Sequence, residues 1–215
     1  MKTLLITGFF ILKNLKENEM TEKINKVKFG LSNVHIWKIE NEDADKITYA
    51  TKAIKLPGAV NLSLSIEGNE STFYADDIPY FQTYANNGYA GDLEIAIITD
   101  EFTTQILGQM KDENGAIIET ADDKISSFAM AFEFQGDAKR TRNILYKVVA
   151  SRPNDEHSTV NDTKEPQTDT LSIKAMPRPT DKFVKARIKE GDTGYSTFYD
   201  KVYEPKLSGA SSTGR

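Results

Sequence analysis

Val60-Asn61-Leu62-Ser63-Leu64-Ser65-Ile66-Glu67 alternates apolar and polar residues without a break. Successive side chains of an extended chain point to opposite faces, so this octet sets Val60, Leu62, Leu64 and Ile66 against a core and leaves Asn61, Ser63, Ser65 and Glu67 in water. The same rhythm returns in Asp92-Leu93-Glu94-Ile95-Ala96-Ile97. Working outward, residues 32–40 carry Val34, Ile36 and Ile39 around Trp37, and the acidic cluster 41–45 reads as a turn before a partner strand at 46–54. Further strands are expected at 115–120, at 127–135 with Phe128, Met130, Phe132 and Phe134 on one face, at 142–150, at 170–176 and at 182–189. Thr99-Asp100 reads as a cap for a short helix over 101–107, which Gly108 ends; Phe198, Val202 and Tyr203 suggest a second short helix from about Tyr195. About eight strands with one or two short helices predict a mainly β protein, a β-sandwich or barrel formed by a single domain over 20–206.

Composition narrows the function. With 32 acidic and 27 basic side chains the chain carries a formal charge of −5, the wrong balance for gripping nucleic acid by its phosphates. The absence of cysteine removes disulfides, thiolate metal sites and cysteine nucleophiles, and two histidines are too few for a histidine-based metal centre. No glycine-rich phosphate loop or G-x-S-x-G elbow is present. His35 lies within a strand among apolar neighbours and reads as a packed residue, while His157 falls in a polar loop. Asp76-Asp77 and Asp122-Asp123 lack the spacing of a calcium loop and read as turn-formers. No catalytic, metal or cofactor site is expected, and the chain reads as a non-enzyme.

Four segments stand apart. Residues 3–12 are apolar but too short to span a bilayer, and no small-residue cleavage site follows them. Lys16-Glu17 can be encoded by a ribosome-binding sequence, with Asn18-Glu19 as spacer, so translation is expected to start at Met20, leaving 1–19 as leader or N-terminal extension. Residues 68–91 show no alternation yet hold Phe73, Tyr74, Tyr80, Phe81, Tyr84 and Tyr89, and read as a long functional loop. Residues 152–169 contain only Val160 as a large aliphatic side chain and read as a solvated insertion; 207–215 form a polar tail.

Lys55-Leu56-Pro57-Gly58 leading into the alternating strand, followed by Ser71-Thr72-Phe73-Tyr74-Ala75-Asp76-Asp77-Ile78-Pro79-Tyr80, resembles the signature of major tail proteins of long-tailed, non-contractile bacteriophages. The strand from Gly91 into a short helix ending Gln105-Ile106-Leu107-Gly108 continues the resemblance, which covers roughly 27–203. It implies a tail-tube-type β-sandwich whose copies form stacked homo-hexameric rings. The rings enclose a channel through which genomic DNA passes without specific binding. It further implies contacts with tape measure, tail terminator and distal tail proteins, assembly in the bacterial host cytoplasm, and no membrane association. On that reading Phe73, Tyr74, Asp76, Asp77, Pro79, Tyr80 and Phe81 make inter-subunit contacts, and Asn61, Ser63, Ser65, Glu67, Asp92 and Glu94 line the lumen. The two alternating strands put no Lys or Arg on their wet face, which suits a wall that repels a polyanion in transit. Two alternatives share parts of this pattern: an accessory β-sandwich that stacks sugars on exposed aromatics, and a tube subunit of a secretion machine related to phage tails.

Overall fold

Strand β1 (Lys28–Glu42) is long because both of its faces find cover: Val34 and Ile36 are buried on one side and Trp37 on the other. The computed structural model describes residues 24–155, 157, 159 and 166–207. The expected leader 1–19, residues 156, 158 and 160–165 of the expected insertion 152–169, and all of the tail beyond Leu207 lie outside these residues. After β1 come β2 (Ile47–Tyr49), β3 (Ile54–Leu56), β4 (Ala59–Glu67), β5 (Glu70–Ala75), β6 (Ile78–Tyr84) and β7 (Gly88–Ile95). Helix α1 (Asp100–Gln105) precedes β8 (Met110–Lys111), β9 (Ile117–Ile118), β10 (Phe128–Gly136), β11 (Thr141–Ala150), β12 (Asp169–Ala175) and β13 (Lys185–Lys189).

All strand pairs are antiparallel. β1 pairs with β10 along its length and with β2 and β3 beside it; β10 then pairs with β11. Strand β11 divides its outer edge between two partners, β13 along Thr141–Leu145 and β12 along Val148–Ala150. From β12 the sheet continues to β7 and ends at β4. The sheet thereby folds over on itself as a β-sandwich. Val34, Ile36, Phe128, Met130, Phe132 and Leu145 of one layer meet Leu93, Ile95, Leu171 and Ile173 of the other. Helix α1 plugs one end of this core with Phe102, and Ile106 and Leu107 follow it inward. The Thr99 hydroxyl caps the helix by accepting from the Phe102 amide at 3.3 Å, and Gly108, at φ +83°, leaves it in a conformation that glycine tolerates best.

A second core covers the other face of the first layer: Trp37, Ala129, Ala131, Ile144, Tyr146 and Ile188 pack under Phe198 and Val202 of the C-terminal segment. That segment is a chain of turns, not the helix expected from Tyr195; its inward residues are the expected ones, held by side-chain anchors instead of a helical ladder. The Glu133 carboxylate, buried between the layers of packing, accepts from Arg142 Nε at 2.8 Å, from the Tyr195 hydroxyl at 3.1 Å and from Arg140 and Asn33 at 3.3 Å. Burial alone would raise its pKa, but these donors and the two guanidinium charges hold it below the usual value.

Two further expectations fail. The expected loop 68–91 is the hairpin β5–β6 followed by the start of β7. Its sequence showed no alternation because alternation marks a ribbon with one buried face, and this ribbon has none. Val60 and Ile66, read as core, are 54% and 79% exposed: a bulge between Ala59 and Asn61 leaves Val60 unpaired, and of the apolar residues of β4 it is Ala59, Leu62 and Leu64 that pack against the core.

Candidate assembly surfaces

Two surfaces of the described chain belong to neither core. The first is the hairpin. β4 and β7 pair as far as Glu67 and Gly88, the pairing turns irregular over the unequal segments 68–69 and 85–87, where the Asn87 and Ala85 amides still donate to the Glu67 and Asn69 carbonyl oxygens at 2.9 and 3.0 Å, and β5 and β6 carry the ribbon onward. Asp76 and Asp77 close it with φ of +52° and +59°, the two left-handed residues of a type I′ turn, a role that aspartate accepts. Tyr80 is the extra residue of a bulge between the pairs Phe73–Phe81 and Tyr74–Pro79. The register sets Phe73, Ala75, Ile78 and Phe81 on one face and Tyr74, Pro79 and Tyr84 on the other. Phe73, Tyr74, Tyr80 and Phe81 are 61%, 62%, 72% and 61% exposed, and every residue of β6 is exposed. Gln82 bonds Glu70 across the ribbon. Sequence thus places all the expected contact residues on one element, but as a two-sided arm and not as a loop.

The second surface is the outward face of β4, β7 and β12. Asn61, Glu94 and Thr170 form one cross-strand row, Ser63, Asp92 and Ser172 the next, and Ser65, Ala90 and Lys174 the third. The Ser172 hydroxyl donates to Asp92 at 2.7 Å and the Thr168 hydroxyl to Glu94 at 2.7 Å. Gly91 makes the closest approach possible: a Cβ there would sit 1.8 Å from the Ser63 carbonyl oxygen, so glycine lets β4 close on β7. All six residues expected on this face share it. The strand β12 adds what the two-strand reading missed, Lys174, whose Nζ lies 3.5 Å from Glu67. The period-2 pattern at 170–176 could have shown it, had β12 been placed beside β7. The face still holds three carboxylates to one ammonium.

The expected packing of His35 is visible: its ring lies 4.4 Å from that of Tyr199 and its Nδ1 is 2.9 Å from the Asn33 carbonyl oxygen, which accepts the bond. Asp123 is a turn-former, accepting from the Thr120 amide at 3.0 Å. Among the described residues no cluster of three or more His, Cys, Asp or Glu is placed to hold a metal ion, and no helix is long and apolar enough to cross a membrane. No protein-family model matches the chain, and none of the curated proteins compared with it does.

Proposed function

We infer that the chain is a structural subunit that self-assembles through its β5–β6 arm into stacked hexameric rings, forming a tube of the kind that conducts DNA through a phage tail. The observation that carries this reading is the arm itself. A two-stranded ribbon is marginal in water, and one with apolar side chains on both faces gains its stability from a partner. Covering an aromatic side chain contributes about 1.5–3 kcal/mol, so several anchors together are of the same order as the entropic cost of association. The acidic, hydroxyl-rich face of β4, β7 and β12 supports the channel assignment, because phosphates find there mostly carboxylates and side chains already bonded to one another. Tape measure and terminator proteins would meet the tube at its centre and ends.

A sugar-binding role fits the arm less well, since a thin ribbon with aromatics on both faces forms no cradle around a ligand. Negative-stain microscopy of the purified protein separates the two. Rings with six-fold symmetry, or tubes, are expected without any added ligand; single small particles at every concentration would count against assembly.

A further inference from the structure

The two layers of the sandwich do not meet along one seam. β4 pairs only with β7, and residues 28–33 of β1 pair only with β10, so two strand edges face each other unpaired. Between them opens a cleft of about 490 Å³. Leu31, Leu62, Leu64 and Phe132 give it an apolar lining, and Phe29 and Val60 stand exposed at its mouth. Three cations border it, Lys28, Lys185 and Arg187, and none forms an ion pair among the described residues. The Lys185 side chain is exposed, yet the protein around its ammonium lowers its pKa, and the charges of Lys28 and Arg187 push it the same way; Lys28 and Lys185 lie 5.4 Å over the Phe134 and Tyr89 rings, and no carboxylate pairs with the trio among the described residues. A further observation is independent of charge. Asn143, only 2% exposed, lines the same cleft, and among the described residues its amide nitrogen has no acceptor. Buried donors are rarely left so, and this one asks for an oxygen from outside the chain.

Building on the assembly reading above, we propose that this cleft is the receptor for the β5–β6 arm of a second copy, with Asp76 and Asp77 meeting Lys28, Lys185 and Arg187 while the arm's aromatics cover the apolar seam. The match is one of chemistry on both sides. The arm offers carboxylates at its tip and rings behind them; the cleft offers unpaired cations beside apolar walls and open strand edges of the sort that accept an added strand. No residue of β5 or β6 lines the cleft of its own chain. Tip and cleft are different patches, so the contact is head-to-tail, and its repetition gives a ring or a filament instead of a closed dimer.

Charge exchange tests the pairing. One protein carries Lys185→Glu and Arg187→Glu, both at exposed positions; another carries Asp76→Lys and Asp77→Lys. Each alone is expected to need a concentration about tenfold or more above wild type to assemble, and the equimolar mixture, in which every tip meets a cleft of opposite charge, is expected to recover most of that loss. Asp76→Asn with Asp77→Gly keeps the favoured turn, removes the charges and is expected to weaken assembly even if lysines distort the tip. Tubes formed equally well by all variants would overturn the receptor while leaving the assembly reading intact. Loss in the cleft variant without loss in either tip variant would also overturn it, since the cleft would then serve assembly through some other contact. A wild-type chain that never assembles would overturn both.

Discussion

Arg178 ties the C-terminal segment to the sandwich. Nearly buried, it forks onto Asp181 at 2.7 and 2.6 Å and onto Glu204 at 2.8 and 2.7 Å, with its guanidinium 4.4 Å from the centroid of the Tyr146 ring. Burial would lower its pKa, yet the two carboxylates raise it above the ordinary arginine value. Arg178→Ala removes the fork and uncovers Tyr146; because Glu204 and Asp181 can rehydrate, the loss is about 2 kcal/mol and not the larger figure of a sealed pair. Thermal unfolding is expected to show a Tm lower by about 4–8 °C, with Arg178→Lys recovering less than half, since lysine cannot bridge two carboxylates in one plane. An unchanged Tm would show that the segment holds without it. His35 makes a pH prediction. Burial lowers its pKa from 6.5, the Asn33 bond only partly opposes this, and Lys55 and Arg142 lower it further. The unfolded chain therefore binds a proton more readily than the folded one, so stability falls as pH drops from about 6.5 towards the folded pKa. Tm measured between pH 7 and 5.5 is expected to decline less in His35→Gln than in wild type; equal slopes would assign the decline to other groups.

At the scale of elements, the hairpin adds nothing to either core. The pair Glu67–Gly88 is positioned to be closed directly, so replacing residues 68–87 with Asn-Gly is expected to give a two-residue turn, leave Tm within about 3 °C of wild type and abolish assembly. A large fall in Tm would show that the arm packs on the body. The elements differ in how plainly the sequence announces them. β12, with one wet face, follows its alternation closely, and α1 follows from Thr99, Phe102 and Gly108; β7 keeps the alternation over Asp92–Ile95 but starts at Gly88, and Ile97, read with it, lies beyond the strand and exposed. Where neither face or both faces are covered the signal fades: β5 and β6 show none, and β1 extends four residues upstream of the pattern around Trp37. At Ile66 the pattern holds but the burial does not, because alternation reports orientation and the edge of a sheet has nothing to pack there. The turn segment after Gly191 carried the right inward residues, but its shape depends on Arg142, Glu133 and Arg178, partners far away in sequence.

For the whole molecule, the proposed assembly divides the labour between two surfaces: the arm would join copies, and a six-fold ring would turn the face of β4, β7 and β12 inward. Six copies of Glu67, Asp92 and Glu94 would then repeat bands of negative charge along the channel. Changing the three to lysine leaves the core side chains of Leu93 and Ile95 in place, so assembly is expected to persist; genome ejection is expected to slow in low salt and recover as salt rises. Ejection at the normal rate in low salt would place these carboxylates elsewhere. Self-association through the arm underlies all of this, and sedimentation velocity of the wild-type chain beside the Tyr74→Ala/Tyr80→Ala variant tests it most directly. Fast-sedimenting rings or tubes from wild type, with a variant that stays a folded 24.1 kDa monomer of unchanged Tm, is the predicted result. A wild type that remains monomeric at every concentration, or a variant that assembles as well as wild type, would contradict it.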